Sequence, residues 1–212
     1  MTKIIAISDT HNQHRLLDLP DGDILIHAGD LTGRGSTKEL CEVFNWFREL
    51  ANKYQDIIFI AGNHDFGLQG PWDNTLPMNV HYLQDSYIKI QGLKIYGSPW
   101  TPNFGNWTFM KDDRIELPKV WAKIPEDTDI LITHGPPRDV LDLNQEKERC
   151  GSRALYNRIA KQKDLLLENL KVHIFGHIHE SYGHIGKCYN VSVLNRRYEL
   201  VNLPTIIEIN NE

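Results

Sequence analysis

A mixed α/β fold is predicted for this 212-residue chain by three features. Short, continuous apolar and β-branched runs recur along it, the pattern of strands buried on both faces. Helical periodicity fills the intervals between them. Alternating segments appear later, as antiparallel strands do. βαβ units thus dominate the first half and antiparallel strands are added after them, with helices covering the sheet faces.

The first strand covers residues 3–7. The opening Met1-Thr2-Lys3-Ile4-Ile5-Ala6-Ile7 reaches Asp9 and His11 at once, which a signal peptide does not. Asp23-Ile24-Leu25-Ile26, Asp56-Ile57-Ile58-Phe59-Ile60, Asp129-Ile130-Leu131-Ile132 and residues 172–175 belong to the same set. A helix is predicted over about residues 37–53. Ser36 caps it, with Glu39 three residues later as in a capping box. Leu40, Val43, Phe44, Phe47 and Leu50 recur at helical spacing as its core face. Cys41, inside that pattern, reads as a small core residue. Further helical stretches are read at 153–163 and 164–170. Residues 87–90 and 93–96 form a hairpin about Gln91-Gly92, and 187–193 and 205–209 read as strands.

Composition bounds the function classes. Hydrophobic residues make up 41% and charged residues 24%, the balance of a soluble globular protein. No apolar run approaches the ~20 residues of a membrane span. A net charge of −5 argues against wrapping extended nucleic acid. Cys41, Cys150 and Cys188 are scattered and offer neither a disulfide framework nor a zinc site, so a reducing, cytoplasmic setting is expected. Asn106-Trp107-Thr108 and Asn190-Val191-Ser192 match the glycosylation pattern and are read as accidental. With no linker or low-complexity segment, residues 1–212 are read as one domain, monomeric or homodimeric.

Each of five buried strands ends in polar residues. Ser8-Asp9-Thr10-His11, His27-Ala28-Gly29-Asp30, Gly62-Asn63-His64-Asp65, Thr133-His134-Gly135 and Gly176-His177-Ile178-His179 follow the strands directly. Ligands of open α/β sheets collect beyond the carboxyl ends of strands, and parallel neighbours bring these ends to one edge. Asp9 and His11, like His177 and His179, are two apart and share a side if the chain is extended. The Asp, His and Asn set, without thiolate, suits Mn, Fe, Zn, Ni or Co. Seven side chains exceed the needs of one tetrahedral ion and divide between two if one carboxylate bridges. Any one segment alone would be weak; their conjunction points to a metal site.

The ordered series Asp9-x-His11, Gly29-Asp30, Gly62-Asn63-His64-Asp65, His134 and Gly176-His177-x-His179 resembles the calcineurin-like metallophosphoesterases across almost the whole chain. Gly97-Ser98-Pro99-Trp100-Thr101-Pro102, Thr133-His134-Gly135-Pro136-Pro137 and Gly176-His177-Ile178-His179-Glu180 are similar to segments of the small metallophosphoesterase-domain-containing subfamily, which is linked to cyclic-nucleotide phosphodiesters. The resemblance implies an α/β/β/α sandwich of two mixed sheets flanked by helices, with the metal site at the C-terminal ends of strands. It assigns Asp9, His11, Asp30 and His179 to one metal, and Asp30, Asn63, His134 and His177 to the other. It makes His64 the catalytic acid and Asp65 its orienting partner.

Two divalent ions held about 3.5–4 Å apart can acidify a shared water and would so supply a nucleophile for in-line attack on phosphorus. The expected enzyme is a phosphodiesterase for small phosphodiesters such as cyclic nucleotides; a phosphomonoesterase, or a metal- and nucleotide-binding module with little turnover, are the alternatives. Arg34 is a candidate phosphate contact or a solvated loop charge. The loop holding Trp100, Asn103, Asn106 and Trp107 is either a packed cover or a rim that stacks a base. His14, His27, His81, His173 and His184 are read as structural or surface residues. The basic stretch from Lys147 to Lys163 is read as a solvated face or, if it borders the metal edge, as a patch that draws in phosphates.

Overall fold

A computed structural model describes residues 1–71, 75–161, 164–165 and 169–210. In chain order its strands are β1 (Thr2–Ile7), β2 (Ile24–His27), β3 (Asp56–Phe59), β4 (Val80–Tyr82), β5 (Ser86–Ile90), β6 (Leu93–Ser98), β7 (Thr101–Pro102), β8 (Met110–Lys111), β9 (Ile130–Thr133), β10 (Ala160–Lys161), β11 (Asp164–Leu165), β12 (Val172–Phe175), β13 (Gly183–Ile185), β14 (Cys188–Asn190) and β15 (Thr205–Ile209). The helices are α1 (Thr37–Leu50), α2 (Leu117–Trp121) and α3 (Arg153–Ile159). None of the described helices is long and apolar enough to cross a membrane.

Two large mixed sheets form. One has the order β15-β1-β2-β3-β4 and the other β13-β14-β12-β9-β6-β5. β1 to β4 run parallel, with β15 antiparallel on β1. β6, β9, β12 and β14 run parallel in the second sheet, flanked by antiparallel β5 and β13.

Successive strand residues face opposite ways, and this sorts the core into layers. Ile4, Ala6, Ile26 and Ile58 meet Ile95, Ile130, Ile132 and Ile174 between the sheets. Ile5, Ile7, Leu25, Ile57 and Phe59 turn outward beneath Val43, Phe44 and Phe47 of α1. Tyr96 and Leu131 turn the other way, against Leu117 and Trp121 around α2 and Leu155 and Ile159 of α3. The result is an α/β/β/α sandwich. Strands buried on both faces explain why the sequence runs are continuous rather than alternating.

The capping box of α1 is present: Ser36 Oγ accepts from Glu39 N at 3.3 Å, and Glu39 Oε2 accepts from Ser36 N at 2.8 Å. Several expectations are corrected. α1 ends at Leu50, since Lys53 N turns back to Leu50 O at 2.8 Å. Cys41 is exposed; it lies one residue, about 100° of helix, off the stripe of Leu40, Val43, Phe44 and Phe47, while Trp46 is buried. The helix expected over 153–163 stops at Ile159, where Ala160 is extended and begins β10. Of the stretch 164–170, Asp164 and Leu165 pair as β11 with β10, and residues 166–168 lie outside the described residues. The strand expected at 187–193 narrows to β14.

Candidate metal centre

The five ligand-bearing strand ends come from two sheets, not one edge of a single sheet. β1, β2 and β3 supply Asp9, His11, Asp30 and Asn63; β9 and β12 supply His134, His177 and His179. Backbone bonds join the sheets at this point: Ser8 N donates to Val191 O and Val193 N to Ser8 O, both at 3.0 Å.

The paired motifs do not converge through extended chain. Asp9 (φ 57°), His11 (φ 39°), Asp30 (φ 53°) and His177 (φ 69°) are left-handed, and His179 opens a 3-10 turn, His179–Ser181. Such strain is characteristic of sites that the surrounding structure over-determines. Two glycines allow the close approach. A Cβ on Gly62 would lie 2.2 Å from Asp30 Oδ1, and one on Gly176 would lie 2.1 Å from Asp9 Oδ2.

Two carboxylates occupy the middle. Asp9 is fully buried and accepts from His177 N at 3.0 Å and Ser192 Oγ at 2.8 Å. Asp30 Oδ1 accepts from His64 N at 2.8 Å. Three imidazoles face these acids with one nitrogen each. His11 Nδ1 donates to Thr32 O at 3.3 Å, His134 Nδ1 to Ala28 O at 2.9 Å and His179 Nδ1 to Asn195 O at 3.1 Å. Their Nε2 atoms lie 3.7 Å and 3.3 Å from Asp30 Oδ2, and 3.3 Å from Asp9 Oδ1, respectively. Asn63 Oδ1 is 3.1 Å from His134 Nε2. Asp9, His11 and His179 thus form one potential metal-holding group, and Asp30, His134 and His177 another. His64 also comes within reach of His11 and Asp30.

The electrostatics ask for positive charge. Burial opposes charging His134 and His179, yet Asp30 beside the first and Asp9 beside the second hold both up to about 9. Burial would raise Asp9 and Asp30, but the facing imidazoles keep both carboxyls well below the usual range. Burial pushes His11 down to about 4 and His177 down to about 3. His11 Nε2 is buried with no hydrogen-bond partner. Backbone carbonyls fixing the Nδ1 protons, Nε2 atoms that become donors once His134 and His179 give up a proton, and two buried acids suit divalent cations.

His64 stands at the edge of this cluster, its ring stacked on Trp107 at 4.1 Å and its Nδ1 2.8 Å from Gly33 O. Asp65 does not orient that ring, contrary to expectation. Its carboxylate is fully buried beneath the loop, where it accepts from Thr32 N (2.9 Å), Thr32 Oγ1 (2.7 Å), Gly62 N (2.8 Å) and Leu31 N (3.2 Å). Asp65 is thereby tied to the loop that carries Gly33.

A cavity of about 220 Å³ opens over the cluster, lined by Asp30, Asn63, His64, His177 and His179 together with Phe104, Trp107, Glu180, Arg196 and Tyr198. Two expected substrate contacts lie elsewhere. Trp100 is packed on Phe109 at 5.6 Å, and its Nε1 donates to Asp85 at 3.1 Å. Asn106 is exposed and does not line the cavity. Arg34 is exposed, its guanidinium 5.2 Å from the Trp107 ring centre. Phe104, Arg196 and Tyr198 went unread in the sequence, because distant segments bring them here.

The remaining histidines have structural surroundings. His27 Nε2 meets Thr10 Oγ1 at 2.9 Å, His81 pairs with Asp56 at 2.8 Å, His173 meets Thr133 at 2.8 Å, His14 packs on Trp46 and His184 stacks on Tyr189. In the basic stretch Arg149 pairs with Asp142 at 2.7 Å, Arg153 with Asp139 at 2.9 Å, and Arg158 Nε donates to Trp121 O at 3.1 Å. Lys163 lies outside the described residues.

Fold and donor set together define a metal-binding α/β/β/α protein with its centre where two sheets meet. The chain belongs to the calcineurin-like phosphoesterases, whose family model matches residues 2–181. It is 35% identical over 238 residues to metallophosphoesterase domain-containing protein 1 of Homo sapiens, covering 98% of this chain and 71% of that one. A Caenorhabditis elegans relative, UPF0046 protein K07C11.7, is 35% identical over 227 residues, 98% of this chain and 75% of its own length. The probable rhamnogalacturonate lyase C of Emericella nidulans is 35% identical over 218 residues, 95% of this chain and 19% of its own. The family and the ligand clusters make this chain a metal-dependent phosphoester hydrolase.

Proposed function

We propose that the chain is a dinuclear phosphodiesterase for small phosphodiesters such as cyclic nucleotides. The observation that carries this reading is the arrangement of His11, His134 and His179. Each commits Nδ1 to a backbone carbonyl and turns Nε2 toward a buried carboxylate, beneath a cavity of about 220 Å³ with aromatic walls. Asp9, His11, Asp30 and His179 would hold one cation. Asp30, Asn63, His134 and His177 would hold the other, with Asp30 shared. Bound there, divalent cations supply acidification of a water and neutralisation of charge on the phosphoryl oxygens.

The chain's own residues orient and protonate. With Nδ1 of His64 engaged by Gly33 O, the proton for a departing oxygen comes from Nε2. Trp107 fixes the ring plane by stacking. Asp65 holds the loop between the strand ends, and with it the carbonyls of Thr32 and Gly33 that orient His11 and His64. Three unpaired cysteines fit a reducing, cytoplasmic setting.

The test is a substrate panel on metal-reconstituted protein with Mn added, comparing a phosphodiester with a phosphomonoester. The diester is expected to turn over faster, and His64→Ala is expected to keep its metals while losing about 10²–10⁴-fold in rate. Faster monoester hydrolysis would overturn the diesterase reading. Loss of metal in His64→Ala would make His64 a ligand.

A further inference from the structure

Asn195 builds a tight turn beside the centre. Its backbone carbonyl accepts the Nδ1 proton of His179 at 3.1 Å. Its side-chain Oδ1 accepts from Arg197 N at 2.8 Å and Glu199 N at 3.1 Å, and its Nδ2 donates to Glu199 Oε2 at 2.8 Å. The turn is thereby tied to the same histidine that faces Asp9. Within it Tyr198 adopts φ 58°, a conformation in which glycine or asparagine is the ordinary occupant because a Cβ crowds the backbone. Twelve described non-glycine residues have positive φ, and six of them (Asp9, His11, Asn12, Asp30, His177 and Tyr198) belong to this site or its edge. Tyr198 is the only one of those six that is not Asp, Asn or His, and strain of this kind clusters at functional sites.

The conformation delivers the phenol ring over the centre. Its centroid lies 4.8 Å from that of His11, 5.9 Å from His179 and 6.4 Å from His64. The residue is 46% exposed and lines the cavity. Trp107, in contrast, is engaged by His64 and Arg34. Phe104, 5.1 Å from His177, supplies a second open aromatic wall.

We propose that Tyr198 is a specificity-determining residue: its ring receives a flat, aromatic group carried on the phosphoryl centre, and so favours aryl or nucleoside esters over alkyl ones. The substrates follow from the phosphodiesterase reading, whereas the ring contact itself needs no turnover. Stacking on an aromatic side chain is worth roughly 5- to 100-fold in affinity.

Phenylphosphonate and methylphosphonate differ in that ring alone and are inert to hydrolysis, so calorimetric titration into Mn-loaded protein reads the contact directly. Wild type and Tyr198→Phe are expected to bind the phenyl compound about tenfold tighter than the methyl one. Tyr198→Asn, which suits the turn, is expected to lose that preference, keep its affinity for methylphosphonate and melt no lower than wild type. An undiminished phenyl preference in Tyr198→Asn would overturn the proposal, as would its absence from wild type, or a lower melting temperature with weakened binding of both compounds. Rates on bis(p-nitrophenyl) phosphate, measured in parallel, separate the two readings. A phenyl preference with no diester turnover keeps the role of Tyr198 and refutes the diesterase.

Discussion

Gly62→Ala tests how tightly the backbone is drawn around Asp30. An ideal Cβ at this position lies 2.2 Å from Asp30 Oδ1, 2.4 Å from Asp30 N and 2.7 Å from His134 Cε1. Unstrained contacts need roughly 3.5 Å, so about 1 Å of separation has to be found. Asp30 has little freedom to give: its Oδ1 is bonded to His64 N at 2.8 Å, and its backbone is already left-handed. The carboxylate and the His134 ring are therefore forced out of place. Overpacking of this size costs about 1–3 kcal/mol. At roughly 2–4 °C per kcal/mol for a chain of this length, melting falls by about 2–12 °C. A misplacement near 1 Å costs on the order of 10²-fold in rate. Cations per chain by elemental analysis, diester turnover and thermal melting read the three effects. Gly70→Ala is the control, since its added Cβ meets nothing within 4 Å. Wild-type turnover with a full complement of cations in Gly62→Ala would refute the argument that Asp30 is fixed by its neighbours.

Three further outcomes are expected. Asp65→Asn replaces an acceptor oxygen in a set of four buried contacts and should cost about 1–3 kcal/mol; a urea midpoint equal to wild type would show that the loop holds itself. In metal-free protein His134 and His179 stand at about 9, so both are charged at neutral pH and a bound cation must displace their protons. Calorimetry in buffers of different ionisation enthalpy should register up to about two protons released near pH 7.5, with affinity rising toward pH 9; pH-independent affinity would exclude these rings as ligands. Burial pushes His173 down to about 3, against 6.5 for the free group. The unfolded chain binds this proton below pH 6.5 and the folded chain does not, so stability is held above that pH and declines as pH falls toward 3. Denaturant titrations at pH 4 and 7 should differ by less in His173→Gln than in wild type, and an equal difference would place the acid sensitivity elsewhere.

The elements that were legible in sequence are those whose signal is local. Continuous isoleucine-rich runs marked β1, β2, β3 and β9, and the short Val172–Phe175 run marked β12, because both their faces are covered, and Ser36 with Glu39 marked the start of α1. The polar residues after each run pointed to the centre without any knowledge of pairing. What stayed hidden depended on partners far along the chain. β4 is only three residues long and α2 five, too short for either to show a period. Tyr198 and Phe104 reach the cavity from turns whose placement no periodicity encodes. Adjacency misled in one case: Asp65 follows His64, but its side chain turns to Thr32 and Gly62 while the imidazole finds Gly33. A second lesson concerns Asp9, His11 and His177, where left-handed turns accomplish what an extended chain was expected to do.

Because Asp9, His11, Asp30 and Asn63 stand on one side of the seam and His134, His177 and His179 on the other, bound cations would rivet the two halves of the sandwich. Occupancy then becomes a mechanical property of the whole molecule. A ligand held only by the folded form, at 1,000 times its dissociation constant, adds about 4 kcal/mol. Chelation should accordingly quicken amide exchange first at Ser8 and Val193, whose N–H groups sew the halves together, before it reaches the deep strands.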